Sequence, residues 1–222
     1  MRNSLYKKID NRLLDIPKLK SISLSSNKLK DIPSLPSSDT VSVIDLSFNL
    51  LESAPPCLTE FSSLKILNLS HNRIRNFTPN NVLLNLSNLK SLTDINLSHN
   101  LIGEFPIELC NQNIPLKKLD LSYNLIKIVP DSIGNLQVVE LDLRHNSLNY
   151  VSNELSKCSK LQMLNISHNK VKKDGFPIDI LGKSKIRIIH YEGNPIKTSD
   201  IQSLDGYDDY SKRNTENLSK IL

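Results

Sequence analysis

One spacing, L-x-x-L-x-L-x-x-N-x-L, recurs along this 222-residue chain and restricts its fold more than any other feature. The clearest copies are Leu64-Leu67-Leu69-Asn72-Ile74, Leu92-Ile95-Leu97-Asn100-Ile102, Leu116-Leu119-Leu121-Asn124-Ile126 and Leu161-Leu164-Ile166-Asn169-Val171. Three more begin at Leu19, Val41 and Val138, and a degenerate last copy reads Ile186-Ile189-Tyr191-Asn194-Ile196. A partial copy ahead of them keeps Asn11, Leu13, Ile16 and Pro17. From Asn27 to Asn194 the repeated asparagines stand 22, 23, 28, 24, 22, 23 and 25 residues apart. The alternation in L-x-L makes a short strand with one apolar side. A single such strand cannot bury that side, so the units must stack, strand beside strand, into a parallel sheet. Segments rich in Pro and Ser return the chain along the outer side. The Asn at each bend both donates and accepts, and is expected to bond orphaned backbone groups of its own coil and the next. The Asn ladder therefore reads as architecture rather than as a site.

Eight such units in register resemble the leucine-rich-repeat family, and the resemblance covers nearly the whole chain. Ile32-Pro33, Phe105-Pro106, Val129-Pro130 and Phe176-Pro177, each following the Asn, resemble the variant found in many intracellular members. The fold class implied is α/β: a right-handed solenoid with a parallel concave sheet and a convex side of irregular, 3-10 and short helical segments. The chain divides into an N-terminal cap with the partial repeat at 1–18, eight repeats at 19–196, and a C-terminal cap and tail at 197–222. Ser211–Leu222 is expected to be a loosely held helix. The 28-residue unit carries an extra stretch, Asn80 to Lys90, expected as a short helix or bulge on the outer side and read as a tolerated insertion. Val129-Pro-Asp-Ser-Ile-Gly-Asn-Leu-Gln-Val-Val-Glu-Leu141, Glu192-Gly-Asn194 and Leu204-Asp-Gly-Tyr-Asp-Asp-Tyr210 resemble the leucine-rich repeat-containing protein 57 family of animals. That resemblance implies an intracellular protein without enzymatic activity. Members of that family look N-myristoylated through a Gly after Met1. This chain has Arg2, so the M-G-x-x-x-S/T signal is missing and lipid anchoring is not carried over.

Nothing in the sequence marks a membrane span, which needs about 18 consecutive apolar residues. The opening Met-Arg-Asn-Ser-Leu-Tyr lacks the apolar segment of a signal peptide. Cys57, Cys110 and Cys158 are odd in number and far apart, and are expected to be reduced thiols of a cytoplasmic protein. Asn-x-Ser/Thr sequons stand at Asn68, Asn76, Asn85, Asn96, Asn165 and Asn217. Three of them lie in the repeated Asn-x-Ser of the strands, where a glycan would block the concave face, so they read as by-products of the repeat.

The candidate binding residues come from laying the x positions out as columns, which the sequence places on the concave side. The column before the Asn reads Ser26, Phe48, His71, His99, Tyr123, His145, His168. The next reads Ser25, Ser47, Ser70, Ser98, Ser122, Arg144, Ser167, and the central one Ser23, Asp45, Asn68, Asn96, Asp120, Asp142, Asn165, His190. The histidines admit a metal site, a pH sensor, or the family's habitual wording presented as a contact surface. Zinc wants three or four converging ligands and none converge, so the last reading is preferred. Ser70-His71, Ser98-His99 and Ser167-His168 are sequential pairs with no third group to orient a base, and are not catalytic. Asp120 beside Asp142 lacks the closed pocket an acid–base pair needs; like charges on adjacent strands instead hint at a basic partner group. Where Arg144 interrupts the serines it joins Lys118, Asp120, Tyr123, Glu140, Asp142 and His145. Tyr and Arg dominate interface hot spots, so this patch, extended along Phe48, His71, His99 and His168, is the predicted partner-binding site.

The formal charge of +5 raises the question of nucleic acid. On the concave positions Lys20, Lys65, Lys117, Lys118, Arg144 and Arg187 balance Asp45, Asp94, Asp120, Glu140, Asp142 and Glu192. The surplus is therefore expected on the ends and outer side, among Arg2, Lys7, Lys8, Arg12, Lys170, Lys172, Lys173, Lys183 and Lys185. A phosphate-tracking groove would be a basic stripe with stacking aromatics, which the concave face is not. No Gly-rich phosphate loop is present. The sequence thus predicts a cytoplasmic, monomeric adaptor or scaffold for signalling that binds another protein, with no catalytic residue, cofactor or metal. The alternatives are a regulatory subunit of a phosphatase or small-GTPase complex, and anionic-membrane or nucleic-acid binding through the basic ends.

Overall fold

The structure, a computed structural model, describes residues 18–32, 37–77, 86–110 and 114–218. Each repeat contributes one three-residue strand to a parallel sheet: β1 Ser21–Ser23, β2 Val43–Asp45, β3 Ile66–Asn68, β4 Asp94–Asn96, β5 Lys118–Asp120, β7 Glu140–Asp142, β9 Met163–Asn165 and β10 Ile188–His190. They pair in the order β1-β2-β3-β4-β5-β7-β9-β10. The register aligns the central residues Ile22, Ile44, Leu67, Ile95, Leu119, Leu141, Leu164 and Ile189. These point into the core while their two neighbours in each strand face the concave side. Behind the sheet, Leu69, Leu97, Leu121, Leu143 and Ile166 are sealed from solvent, as are Ile74, Ile126, Leu148 and Val171 one step on. Each such side chain contributes about 1.5–3 kcal/mol through burial, so the core is many equal layers rather than one centre.

The prolines act where the convex turns begin, because their fixed φ suits the first position of a helical turn and no N–H is lost there. Pro55 and Pro130 immediately precede the 3-10 turns Pro56–Glu60 and Asp131–Asn135, and Pro106 precedes Ile107–Cys110. Where Ser152 replaces proline, its side chain caps the turn Asn153–Lys157 by accepting from the Glu154 N–H. Of the inserted stretch, Leu86–Asn88 is a 3-10 turn and 80–85 lie outside the described residues, as do the N-terminal cap's 1–17, Pro33 and 219–222. A second pair of short parallel strands, β6 Ile128–Val129 and β8 Tyr150–Val151, forms on the flank past the bend.

At the C-terminal end α1 Asp179–Lys183, α2 Thr198–Gln202 and α3 Tyr207–Leu218 close the stack. The last helix begins before Ser211 and is firmly held. Tyr210 is buried and its hydroxyl accepts the Ile189 N–H at 3.2 Å, and the Arg213 guanidinium donates to the carbonyls of Ile180, Leu181 and Ile186. Sequence pattern missed this because the anchoring groups are polar atoms aimed at backbone, which carry no periodicity.

Candidate interaction surface

The Asn ladder positions everything on the concave face. Asn124 shows its chemistry: Oδ1 accepts the Ile102 N–H of the preceding coil at 3.0 Å, while Nδ2 donates to Leu97 O of that coil and to Leu121 O and Ser122 O of its own. The same set recurs at Asn49, Asn72, Asn100, Asn146 and Asn169. The ladder thus ties each coil to the one before it, not to the one after.

The central column forms as expected, Ser23, Asp45, Asn68, Asn96, Asp120, Asp142, Asn165 and His190 standing side by side across the sheet. From Asp45 to Asn165, Oδ1 of each Asx accepts the backbone N–H two residues on, at 2.9–3.1 Å. Asp and Asn alternate freely there because either supplies that acceptor. This turn corrects the expectation for the serine column. Ser47, Ser70, Ser98, Ser122 and Ser167 are buried rather than presented on the concave face, because the Asx bond folds their backbone inward. Ser98 and Ser167 also donate Oγ–H to Asn96 and Asn165 at 2.7 and 2.8 Å. Burial of these hydroxyls removes any Ser–His nucleophile reading. Arg144 makes the same backbone bond to Asp142, but its side chain is too long to turn in and emerges onto the face, its Nε 3.4 Å from Asp142 Oδ2.

One column over, the strands present Ser21, Val43, Ile66, Asp94, Lys118, Glu140, Met163 and Ile188. Charge sits in the middle of this row and apolar side chains at both ends, a pattern that columns of polar residues alone did not reveal. Lys118 Nζ lies 3.0 Å from Glu140 Oε2, and this bond holds the ammonium pKa above its ordinary value. A shallow pocket of about 260 Å³ opens between these columns. Lys118, Asp120, Glu140, Asp142 and Arg144, all in the predicted binding set, line it together with Met163, Asn165 and His190, which that set left out. Burial pushes the Asp142 carboxyl up, with Asp120 adding to the push and Arg144 offsetting it. A wider hollow among Ser37, Asp39, Glu60 and Lys90 lies away from the sheet and is more open to solvent.

The remaining predicted residues form the rim where each strand turns out of the sheet. Phe48, His71, His99, Tyr123, His145 and His168 stack in one continuous column, ring centroids 4.1–4.3 Å apart and planes within 15° of parallel. All six adopt left-handed backbone, φ 52–55°. Histidine tolerates that region better than most residues, which accounts for its recurrence here. The stack ends at Gly193, where a Cβ would meet His168 Nδ1 at 2.5 Å. His99 and His145 have pKa values lowered by burial first, then by the neighbouring imidazoles and Arg144. Among the described residues no group of three or more His, Cys, Asp or Glu is arranged to hold a metal ion. Cys110 and Cys158 are thiols pushed up to about 11 and about 12 by burial, and the half-buried Cys57, like them, is in no disulfide.

Among the described residues, much of the positive charge gathers on one side of the solenoid. Just past the rim, the first, third and fourth residues after each repeated Asn form an exposed flank. It carries Lys28, Lys30, Arg73, Arg75, Lys127, Lys170, Lys172, Lys173 and Lys197 against Asp31, Glu52 and Glu104. Nine cations and three anions exceed the net charge of the whole chain, +5. Of the cations expected at the ends, Lys170, Lys172 and Lys173 belong to this flank, Lys183 and Lys185 stand exposed at the C-terminal end as expected, and Arg2, Lys7, Lys8 and Arg12 lie outside the described residues.

Family models described as leucine rich repeat match residues 63–89, 90–148 and 115–171. The mouse leucine-rich repeat and calponin homology domain-containing protein 1 is 39% identical over 128 residues, covering 55% of this chain and 17% of that protein. Mouse osteomodulin is 33% identical over 158 residues, covering 68% of this chain and 36% of its own length. The chain therefore spans well under half of these relatives. A solved leucine-rich-repeat protein of Leptospira interrogans superposes with a TM-score of 0.69 at 26% identity, covering 89% of this chain and 55% of that one. Repeats of this kind are commonly interaction modules without catalysis. No helix among the described residues is long and apolar enough to cross a membrane.

Proposed function

We propose that this chain, a leucine-rich-repeat protein, acts without catalysis by binding one folded partner protein across its concave face, centred on the fifth to seventh coils. The observation that carries the reading is the convergence of Lys118, Asp120, Glu140, Asp142 and Arg144 in one pocket beside the exposed Tyr123. A rigid sheet presents these groups with little ordering left to lose on binding, which favours affinity. Lys118 and Arg144 are already paired with Glu140 and Asp142, whereas Asp120 is in no ion pair among the described residues and suits a basic group of the partner. The stacked rim extends the contact from Phe48 to His168. On this reading the protein is a monomeric adaptor of the cytoplasm, in keeping with its resemblance to the leucine-rich repeat-containing protein 57 family. The same face would serve a regulatory subunit of a phosphatase or small-GTPase complex, and co-purifying activity would distinguish that case.

The test is a quantitative pull-down from cell extract read by mass spectrometry, wild type against the double variant Tyr123→Ala, Arg144→Glu. A protein held by wild type and lost, by about 10-fold or more, from the folded variant supports the reading, as expected for hot-spot residues. Equal retention by both proteins places the contact elsewhere.

A further inference from the structure

The flank past the aromatic rim is an amphipathic surface that the concave-face reading does not use. None of its nine cations forms an ion pair among the described residues; Lys173 reaches only the Ser203 hydroxyl, at 3.2 Å. Eight large apolar side chains among the described residues stand most exposed, and four of them cluster at the centre of this side: Leu125, Ile128 and Tyr150 on the flank and Tyr123 on the rim. Cations lie to either side of that centre, Arg73 and Arg75 before it and Lys170 and Lys172 after it, with Lys127 inside it. The surface is stiff, since its backbone is bonded coil to coil through Arg73 N–H to Leu51 O, Leu125 N–H to Ile102 O, Asn149 N–H to Lys127 O and Lys170 N–H to Leu148 O. Eight coils at about 4.8 Å make it roughly 34 Å long.

We propose that this flank seats the protein on an anionic phospholipid bilayer. Cations on both sides of an apolar centre match a surface whose negative headgroups overlie hydrocarbon: the lysines and arginines meet the headgroups while Leu125, Ile128 and Tyr150 enter the boundary with the acyl chains. The apolar groups project from the flank rather than line a groove, so they suit a plane better than an acidic peptide, which would need a channel to align it. Tyr123 and Tyr150 could stack on nucleic-acid bases, but the aliphatic Leu125 and Ile128 beside them suit hydrocarbon rather than a base. Because the rim forms the corner between flank and sheet, a membrane-seated molecule keeps its concave face open to a partner. The proposal does not depend on the protein-binding reading.

Sedimentation of the full chain with lipid vesicles tests it, using phosphatidylcholine alone and phosphatidylcholine with about 30% phosphatidylserine, at about 0.1 M and about 0.5 M salt. Binding is expected to the phosphatidylserine vesicles at low salt only. Lys127→Glu with Lys170→Glu and Lys172→Glu should weaken it at least about 10-fold. Leu125→Ser with Ile128→Ser should weaken it several-fold while its salt dependence persists, both variants keeping the wild-type circular dichroism. No sedimentation with phosphatidylserine, or undiminished sedimentation of the charge-reversed protein, overturns the proposal. So does displacement from the vesicles by polyglutamate or by single-stranded RNA at equal charge concentration, which would mark an acidic protein or a nucleic acid as the ligand.

Discussion

The rim histidines illustrate how one backbone angle shapes a surface. At φ 52–55° the side chain leaves the turn at an angle that lays each ring on the next. Stacking of flat groups offsets the strain of the left-handed conformation. Gly193 (φ +74) closes the row, and Gly193→Ala should destabilise the fold by about 1–2 kcal/mol and displace His168 from His145. Chemical denaturation and the His168 ring resonances would show this; an unchanged His168 signal would mean the ring has room after all. The same stack predicts a pH response. His99 and His145 carry pKa values below 6.5, so between their folded and unfolded values the unfolded chain holds more protons. Their contribution to stability is therefore intact above about pH 6.5 and declines as the pH falls below it. Melting temperature should drop from neutral pH toward pH values of about 5.5, and less so in the double variant His99→Phe, His145→Phe. An identical pH profile in both proteins would remove the stack as its source. The column was legible in the sequence as a row of histidines; its backbone sign was not, because spacing says which residues align and nothing about φ.

Among the elements, the asparagine turn carries the most bonding per residue. Asn124 is buried and satisfies four backbone groups on two coils, whereas Asn27 is exposed and, among the described residues, reaches Leu24 O and Ser25 O of its own coil. Asn124→Ala strands a buried N–H and carbonyls and should cost about 2–4 kcal/mol, while Asn27→Ala should cost less than about 1 kcal/mol. Urea midpoints would separate them, and equal losses would show that the ladder's bonds do not couple neighbouring coils. Strand number, register and the identity of the core were readable because the repeat permits only one stacking of Leu69 on Leu97 and Leu121. The buried serines were misread because polarity argues for exposure, and only the Asx bond from Asn68 or Asp120 explains why Ser70 and Ser122 turn inward. The β6–β8 pair escaped notice for another reason: Ile128 and Tyr150 alternate over too few residues to register as strands. In the candidate site, Asp120, Asp142, Asn165 and His190 aligned in the sequence as one column with Arg144 beside it, but Met163 entered the pocket only through the register of β9.

Across the whole molecule, stability accumulates coil by coil, so the ends decide where unfolding starts. An interior strand bonds on both edges; among the described residues β10 has no strand beyond it. The cap answers this with side chains in place of a ninth coil: Tyr210 Oη takes the Ile189 N–H that a following strand would have accepted, and Arg213 gathers the carbonyls of Ile180, Leu181 and Ile186. Burial lowers the Arg213 pKa without threatening its charge, so the guanidinium stays a donor. Gly206 (φ +83) makes the cap's close approach possible, since a Cβ there would lie 2.6 Å from Gly182 N. Arg213→Ala should therefore act locally, costing about 2–3 kcal/mol in the last coil by leaving those carbonyls without their charged donor. Hydrogen exchange resolves the point. The Ile188 and Ile189 amides should lose protection by about 30-fold or more, while Leu119 and Leu141, several coils away, keep theirs. Uniform loss along the sheet would instead mean that the eight coils unfold as a single cooperative unit and that the cap stabilises all of them at once.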